Sequence, residues 1–442
     1  MFMRDTIYAL SSGQPPAGVA IIRISGPGVR FGLETLTGAV PEPRRATLSD
    51  INDFSGQLLD QGIVVFFPGP RSFTGEDVAE LQIHGSRASI SAVLLALSEF
   101  RDFRPAEAGE FTRRAYENGR VDLTAVEGLS DLIRAETDSQ RRQALGQAGG
   151  RLKELYEGWA KRLTYARAMI EAEIDFSDEE DIPGSVADRI WADMSELAGD
   201  ISIHLETART GEIVRNGFRV ALVGAPNVGK SSLLNNLTRR DVAIVSDMPG
   251  TTRDVIEVRL DIGGHLVLLM DTAGLRTSDN TIEIEGMRRT MKMVESADLV
   301  IELRDLTDKT VALTEEMSAI DRLVVWTKSD LVDESVMDLP ESEMAISNTS
   351  GSGIDSLLKG ISDRLSRLTP SHGTALPTRE RHIIHLKQCL NALQAAVLDT
   401  GAPLEIRSEH LRGSAQSLGK ITGTVDVEQL LGVIFSEFCV GK

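Results

Sequence analysis

The chain has 442 residues, 41 % hydrophobic and 26 % charged, a soluble globular mix long enough for about two to four domains. Its 66 acidic and 47 basic residues leave a formal net charge of -19, which excludes a general nucleic-acid coat with broad positive surface but not a local basic patch. The 2 cysteines, Cys389 and Cys439, exclude a disulfide framework or a cysteine-rich zinc site. The amino terminus has no basic stretch followed by a continuous apolar run, and the longest apolar runs, such as Leu266 to Met270, are strand-sized. A cytoplasmic protein with no membrane segment is expected.

Residues 1 to about 118 read as a compact α+β unit. Strands are expected at Thr6 to Leu10, Gly18 to Ile24 and Gln61 to Phe67, the last closed by Pro68-Gly69-Pro70, and a buried helix at 89–99. From Val121 the period changes: Leu123, Val126, Leu129 and Leu132-Ile133 recur at helical spacing, and Leu152, Leu155, Trp159, Leu163, Ala166 and Ile170 continue it. Long amphipathic helices are expected over about 124–210, broken near Asp181-Ile182-Pro183-Gly184. From Arg219 to about 368 apolar strands alternate with helices, the pattern of a parallel α/β sheet. After Thr369-Pro370-Ser371-His372-Gly373, helical spacing returns at Leu386, Leu390, Leu393 and Val397. The simplest architecture is a helical domain in two segments with an α/β domain inserted between them, since insertion is tolerated where a guest's termini lie close together.

Gly224-Ala225-Pro226-Asn227-Val228-Gly229-Lys230-Ser231 matches GxxxxGK[ST] after an expected strand and before an apolar helix that opens at Ser232. Glycines let backbone N–H groups wrap phosphates, and the helix N-terminus adds positive potential. Lys230 is expected at the β and γ phosphates and Ser231 on magnesium. Thr251-Thr252-Arg253-Asp254 follows at a switch-like distance, with Thr252 the expected magnesium ligand. Asp271-Thr272-Ala273-Gly274 closes a strand, where Asp271 can hold the magnesium shell through water and Gly274 can offer its N–H to the γ-phosphate. Leu275 stands where a Ras-type GTPase carries glutamine and cannot orient water, so another group must. Thr327-Lys328-Ser329-Asp330 resembles the guanine-reading NKxD motif with threonine for asparagine. Asp330 can accept from guanine N1–H and its amino group, which adenine cannot supply, and Lys328 can pack over the base. GTP is therefore expected over ATP. The last purine-loop motif is degenerate, as Ser347-Asn348-Thr349.

The whole chain resembles the MnmE/TrmE family, GTPases that modify the tRNA wobble uridine. The residues that carry the resemblance are Gly18-Val19-Ala20-Ile21-Ile22-Arg23-Ile24-Ser25-Gly26, Phe73-Thr74-Gly75-Glu76-Asp77, Pro105 to Thr112, Asp175-Phe176, the P-loop, Pro249 to Asp254, Asp271 to Arg276 and the terminal Phe438-Cys439-Val440-Gly441-Lys442. The resemblance implies an N-terminal folate-binding-like α+β domain over 1–119 that forms a homodimer, a discontinuous helical domain over 120–216 and 370–442, and an inserted Ras-like P-loop G domain over 217–369. It implies an FAD-dependent MnmG-like partner. With it, an aminomethyl or carboxymethylaminomethyl group is added at uridine C5 from 5,10-methylenetetrahydrofolate, for which 5-formyl-tetrahydrofolate serves as analogue.

For the site, the resemblance implies GTP contacts from Asn227, Val228, Gly229, Lys230, Ser231 and Ser232, from Ser246, Asp247, Met248, Pro249, Gly250, Thr251 and Thr252, from Asp271, Thr272, Ala273 and Gly274, and from Thr327, Lys328 and Asp330. It implies potassium-assisted pairing of G domains, with Asn227, Ser246, Met248 and Thr251 as ligands; on the residues alone Asn227 could equally stiffen the P-loop. Glu283 would position the attacking water, with Glu285 its rival on sequence alone. Folate would meet Arg23, Glu80, Arg120 and Lys442: a carboxylate suits the guanidine-like pterin edge, and cations suit the glutamate tail. The phosphate-binding motif by itself also fits a ribosome-assembly GTPase, or a scaffold that brings tRNA to the partner.

Overall fold

A computed structural model of the protein describes residues 5–175, 185–244, 257–271, 293–308, 321–333, 339–369, 374–425, 431, 434–435, 438 and 440–441. The expected helix break at 181–184 and the turn at 370–373 lie outside them. Backbone contacts divide the chain into two units, one of residues 1–130, 147–172 and 408–442, the other of 131–146 and 173–407.

The elements of the first unit begin with β1 (Thr6–Leu10), β2 (Ala17–Ser25), α1 (Val29–Thr37), β3 (Thr47–Asn52), β4 (Leu58–Phe67), β5 (Val78–Gly85), α2 (Arg87–Ser98), β6 (Phe103–Pro105) and α3 (Glu110–Glu117). The three expected strands form, and β3, β5 and β6 join them in one sheet of order β3-β4-β5-β2-β1-β6. Ile22, Ile24, Val64, Leu81 and Ile83 point to one face of the sheet and pack beneath Leu33 and Leu36 of α1 and Val93 and Leu97 of α2. The opposite face keeps apolar residues in solvent: Leu48 pairs with Ile63, Ile63 with Gln82 and Gln82 with Ile21, and Val19, Leu48 and Ile63 are all exposed.

Helices α4 (Leu123–Arg134), α5 (Asp138–Ala148), α6 (Arg151–Asp175), α7 (Ser185–Glu206) and α8 (Ala208–Asn216) follow. On α6 the buried stripe is Leu152, Tyr156, Trp159, Leu163, Ala166 and Ile170; Tyr156 takes the place expected for Leu155, which is half-buried. The carboxyl-terminal Ile434, Phe435 and Phe438 close over Leu123 and Val126 of α4.

In the second unit the run is β7 (Phe218–Gly224), α9 (Lys230–Thr238), β8 (Glu257–Ile262), β9 (His265–Asp271), β10 (Leu299–Asp305), β11 (Arg322–Thr327), β12 (Met344–Ala345) and α10 (Ile354–Leu368), then α11 (Glu380–Leu398) and α12 (Leu404–Thr422), whose residues from Ser408 on belong to the first unit. Sheet order is β12-β11-β10-β7-β9-β8. The central strand β7 is buried almost throughout, as a strand covered on both faces must be. The expected all-parallel sheet needs one correction: β8 runs antiparallel to β9. Gly263 and Gly264, with φ of 63° and 83°, make a two-residue hairpin, and a link that short can only join antiparallel strands. On α11 the buried stripe is His382, Leu386, Cys389, Leu393 and Ala396; Leu390 and Val397 are only half-buried. No helix among the described residues is long and apolar enough to cross a membrane.

Candidate functional site: a phosphate loop with a guanine-side wall

The loop between β7 and α9 is shaped by backbone that only certain residues adopt. Gly224 has φ of 154°, and a Cβ there would stand 2.5 Å from the Leu303 carbonyl. Asn227 is exposed with φ of 62°, a left-handed conformation that asparagine tolerates better than most residues. Val228 anchors the loop by burying its side chain in the sheet core.

Lys230, at the first position of α9, is buried, and its Nζ donates to the carbonyls of Gly224 at 2.7 Å and Ala225 at 2.9 Å. The ammonium is thereby held back across the loop whose N–H groups are suited to phosphate. Ser231 and Ser232 are exposed on the same helical turn. Asp271, 2 % exposed, ends β9 directly across from Leu222 of β7. A hydroxyl and a carboxylate flanking a phosphate loop are the hard oxygen donors that magnesium takes.

The guanine-side wall comes from the ends of β11 and β12. Thr327 is fully buried, and its hydroxyl donates to the Val228 carbonyl at 2.7 Å, with the Arg304 carbonyl further off at 3.2 Å. Lys328, at φ of 61°, pairs with Asp305. Burial alone would raise the Asp305 pKa, but the hydrogen bonds from Lys328 and Thr307 outweigh it and hold the carboxyl below its usual range. Asp330 is exposed, and its Oδ1 accepts from the Ser347 hydroxyl at 2.6 Å. Ser347 Oγ in turn accepts from the backbone N–H groups of Thr349 and Ser350. The segment 347–349, degenerate by sequence, thus orients the acid expected to read guanine. Asn348, marked in sequence only as part of that degenerate motif, also reaches the P-loop. Its Nδ2 donates to the Gly229 carbonyl at 3.2 Å, and its backbone carbonyl accepts from Asn236.

Ser246, Asp247, Met248, Pro249, Gly250, Thr251, Thr252, Thr272, Ala273, Gly274 and Glu283 lie outside the described residues, as do Cys439 and Lys442. In the first unit, Arg23 and Glu80 face each other across β2 and β5 and form one ion pair. Arg23 also lies over the rings of Phe73 and Phe111, with centroids 5.5 and 5.7 Å away. Arg120 is exposed, and its stem passes Gly75, two residues beyond Phe73. Three of the four expected folate residues thus gather around the 73–77 turn. That turn and α3 are clamped by Arg114, which bonds Glu76 at 3.1 Å, Glu110 at 3.0 Å and the Asp5 carbonyl at 2.8 Å. Glu110 and Arg114 are only four residues apart on α3, but the tie of Arg114 to Glu76 and to the Asp5 carbonyl gave no signal in sequence, because those partners are 38 and 109 residues away.

Fold and loop together define a P-loop nucleotide-binding domain, with the residues expected to read guanine at the ends of β11 and β12, carried in a larger protein of sheet and helix. Residues 6–120 match the family model described as the GTP-binding protein TrmE N-terminus, and residues 123–439 match that of the MnmE helical domain. The chain is 52 % identical over 440 residues to a tRNA modification GTPase MnmE of Rhizobium johnstonii, covering 100 % of this chain and 99 % of that protein. It is 49 % identical over 442 residues to the protein of that name from Agrobacterium fabrum, covering 99 % of each. The G domain of the T. maritima FeoB iron transporter matches at 26 % identity over 33 % of this chain and 97 % of that one, with a TM-score of 0.23, a likeness too slight to bear on the fold. The chain belongs to the MnmE/TrmE family of tRNA modification GTPases.

Proposed function

We propose that this protein hydrolyses GTP to drive modification of the wobble uridine of tRNA, acting as a homodimer with an FAD-dependent MnmG-like partner in the cytoplasm. The added group is aminomethyl or carboxymethylaminomethyl at C5. The observation that carries the GTPase part is the seating of Lys230 across the P-loop carbonyls, together with an Asp330 already oriented by Ser347. The tRNA part rests on family membership over the full length of the chain.

Within the G domain, taken as 217–369, Lys230 and the N–H groups of Asn227 to Ser232 bind the β and γ phosphates. Ser231 and Thr252 hold magnesium, with Asp271 behind them. Asn227, Ser246, Met248 and Thr251 hold potassium where two G domains meet, and Glu283 orients the attacking water. The two cations neutralise charge that builds on the phosphates during hydrolysis.

Folate binding falls to the domain at 1–119, and the helical segments at 120–216 and 370–442 link the two functions. Arg23, Glu80, Arg120 and Lys442 contact the methylenetetrahydrofolate or its 5-formyl analogue, which supplies a one-carbon unit. Glu80 is already the acceptor of Arg23, so a pterin edge would share that carboxylate. The exposed apolar sheet face with Val19, Leu48 and Ile63 supports dimerisation through this domain.

The test is GTP hydrolysis in potassium against sodium at equal ionic strength. Because Asn227 is left-handed, an alanine there adds backbone strain of about 1 kcal/mol. Asn227→Gly is the cleaner variant, since it keeps the conformation and removes the side chain. Strong potassium stimulation that disappears in Asn227→Gly supports the reading. Equal rates of the unaltered protein in both salts end the potassium role.

A further inference from the structure

The two departures from the usual guanine motifs, at Thr327 and at Asn348, lie on the same stretch of P-loop. A threonine hydroxyl has one proton. That of Thr327 is directed to the Val228 carbonyl at 2.7 Å, in a fully buried setting. An asparagine at this position would bring two N–H donors, so the substitution leaves the wall one donor short.

The next carbonyl along the loop, that of Gly229, is met from the other side by Asn348. Its Nδ2 donates there at 3.2 Å, and a Cβ placed on Gly229 would come within 3.1 Å of the same nitrogen. Asn348 itself is fixed by the Asn236 amide on its backbone carbonyl. Its Oδ1 is buried and has no hydrogen-bond partner. A buried acceptor without a partner has lost its water and gained nothing in return, which is unfavourable. Turning the amide over would set that oxygen against the Gly229 carbonyl, so the Nδ2 contact decides the orientation. An alanine at 348 would avoid the cost entirely, and a surface asparagine would hydrate its oxygen.

We propose that Asn348 is a positioning residue for nucleotide binding. Its side-chain amide supplies, from the last purine loop, the P-loop tether that the asparagine of the first guanine motif would otherwise give. Thr327 and Asn348 are a compensating pair, each holding one of two successive P-loop carbonyls. The inference rests on the reading of this site as the GTP site.

A double-mutant cycle on the full chain tests it, with the affinity for a fluorescent GDP analogue as readout. Asn348→Ala is expected to weaken binding about 5–10-fold in the natural background, the effect of one hydrogen bond to a half-buried carbonyl. In a Thr327→Asn background the same change is expected to cost less than about 2-fold, because the restored asparagine takes over the tether. Asn348→Asp keeps the shape but faces the Gly229 carbonyl with an acceptor, and is expected to weaken binding more than alanine does. For GTP hydrolysis, KM should rise with kcat nearly unchanged. An equal loss in both backgrounds, or no loss in either, overturns the compensation, and an aspartate that binds as well as asparagine overturns the tether. Lys230→Ala separates the inference from the reading beneath it: if that variant still binds the nucleotide fully, the site reading fails; if binding is lost, the cycle judges Asn348 alone.

Discussion

Arg23 and Glu80 stand directly opposite each other on β2 and β5, and the Arg23 guanidinium gives both Nε and Nη2 to a single oxygen of Glu80, at 3.1 and 2.9 Å. Each side chain is about one-fifth exposed. Such a pair contributes modestly to stability, on the order of 1 kcal/mol, because water still screens it. If the proposed folate site is here, the pair has a second value: the Arg23 bonds hold the Glu80 carboxylate in one orientation, ready for a pterin edge. Glu80→Gln should therefore abolish binding of 5-formyl-tetrahydrofolate with little change in melting temperature. Arg23→Ala should weaken it in part, through loss of that orientation. Calorimetric titration checks both, and a Glu80→Gln protein that binds folate normally removes Glu80 from the site.

The Arg114 clamp behaves otherwise, because Arg114 and Glu110 are nearly out of solvent. Removing one partner of a buried ion pair leaves the other charge without compensation, at a cost of about 3 kcal/mol. Glu110→Ala should shift urea unfolding by an amount of that order, while Arg113→Ala, on the exposed side of α3, should leave it nearly unmoved. Burial would raise the Glu110 pKa, but the hydrogen bonds from Arg104 and the Glu107 N–H, with the charge of Arg114, bring it below the ordinary glutamate value. A depressed carboxylate pKa stabilises the fold above the unfolded-state pKa. That contribution is lost as pH falls through the lower folded value. Below about pH 4.5 the difference between the natural protein and Glu110→Gln should shrink.

These examples mark where sequence stops being sufficient. The P-loop was legible because its chemistry demands consecutive residues: a turn of glycines, a lysine and a hydroxyl on one helical turn. The β8–β9 hairpin was equally local, written in Gly263 and Gly264, although the α/β pattern around it suggested parallel pairing. Partners far apart in the chain were not legible. Glu76 and Arg114 are 38 residues apart. Residues 131–146 read as part of a long helical run, yet they group with the G-domain residues: Asp131 accepts from Arg215 and Arg379, Glu136 from Arg259, and the Ser139 N–H meets the Gly264 carbonyl. Helical periodicity reports that a stripe is buried and is silent on what buries it.

The joint between α5 and the β8–β9 hairpin yields a prediction. Arg259 is on β8, which follows Thr251-Thr252-Arg253-Asp254 in the chain, the residues at a switch-like distance from the P-loop, and its bond to Glu136 is 2.7 Å long. Glu136 lies between α4 and α5, so this contact ties β8 to the helical segment. Arg259→Ala should leave GTP turnover within about 2-fold and lower tRNA modification much further. A rate of modification that simply follows the rate of hydrolysis would put the coupling elsewhere.

His204 gives the helical region an acid limit. It is buried at the end of α7, and desolvation, followed by the nearby His382, pushes its pKa down to about 4. The unfolded chain binds a proton near pH 6.5, so between these values the unfolded state holds more protons than the folded one. Stability is full above pH 6.5 and falls as pH drops towards 4, by about 2 kcal/mol at pH 5. His204→Gln, neutral throughout, should flatten the fall in melting temperature between pH 7 and 5. An unchanged slope would mean that another group sets it.

The carboxyl terminus offers the test with the sharpest steric basis. Gly441 has φ of 99°, and a Cβ there would meet the Leu10 carbonyl at 2.2 Å. Its own carbonyl accepts from the Ser11 hydroxyl at 2.7 Å, and Val440 bridges to Ala108. Alanine at 441 fails twice, on backbone conformation and on contact with main-chain atoms that cannot move aside. Gly441→Ala should therefore unseat the terminal residues from β1 and speed their trimming by carboxypeptidase. The residues that meet this seat, Leu10, Ser11 and Ala108, belong to the first unit, so GTP hydrolysis is expected to be unchanged. Folate affinity should fall if Lys442 contributes a cation to the glutamate tail, and Lys442→Ala should then reproduce the fall without the trimming. A Gly441→Ala protein that resists trimming as well as the natural one would show that the packing of Ile434, Phe435 and Phe438 on α4 is enough to hold the terminus.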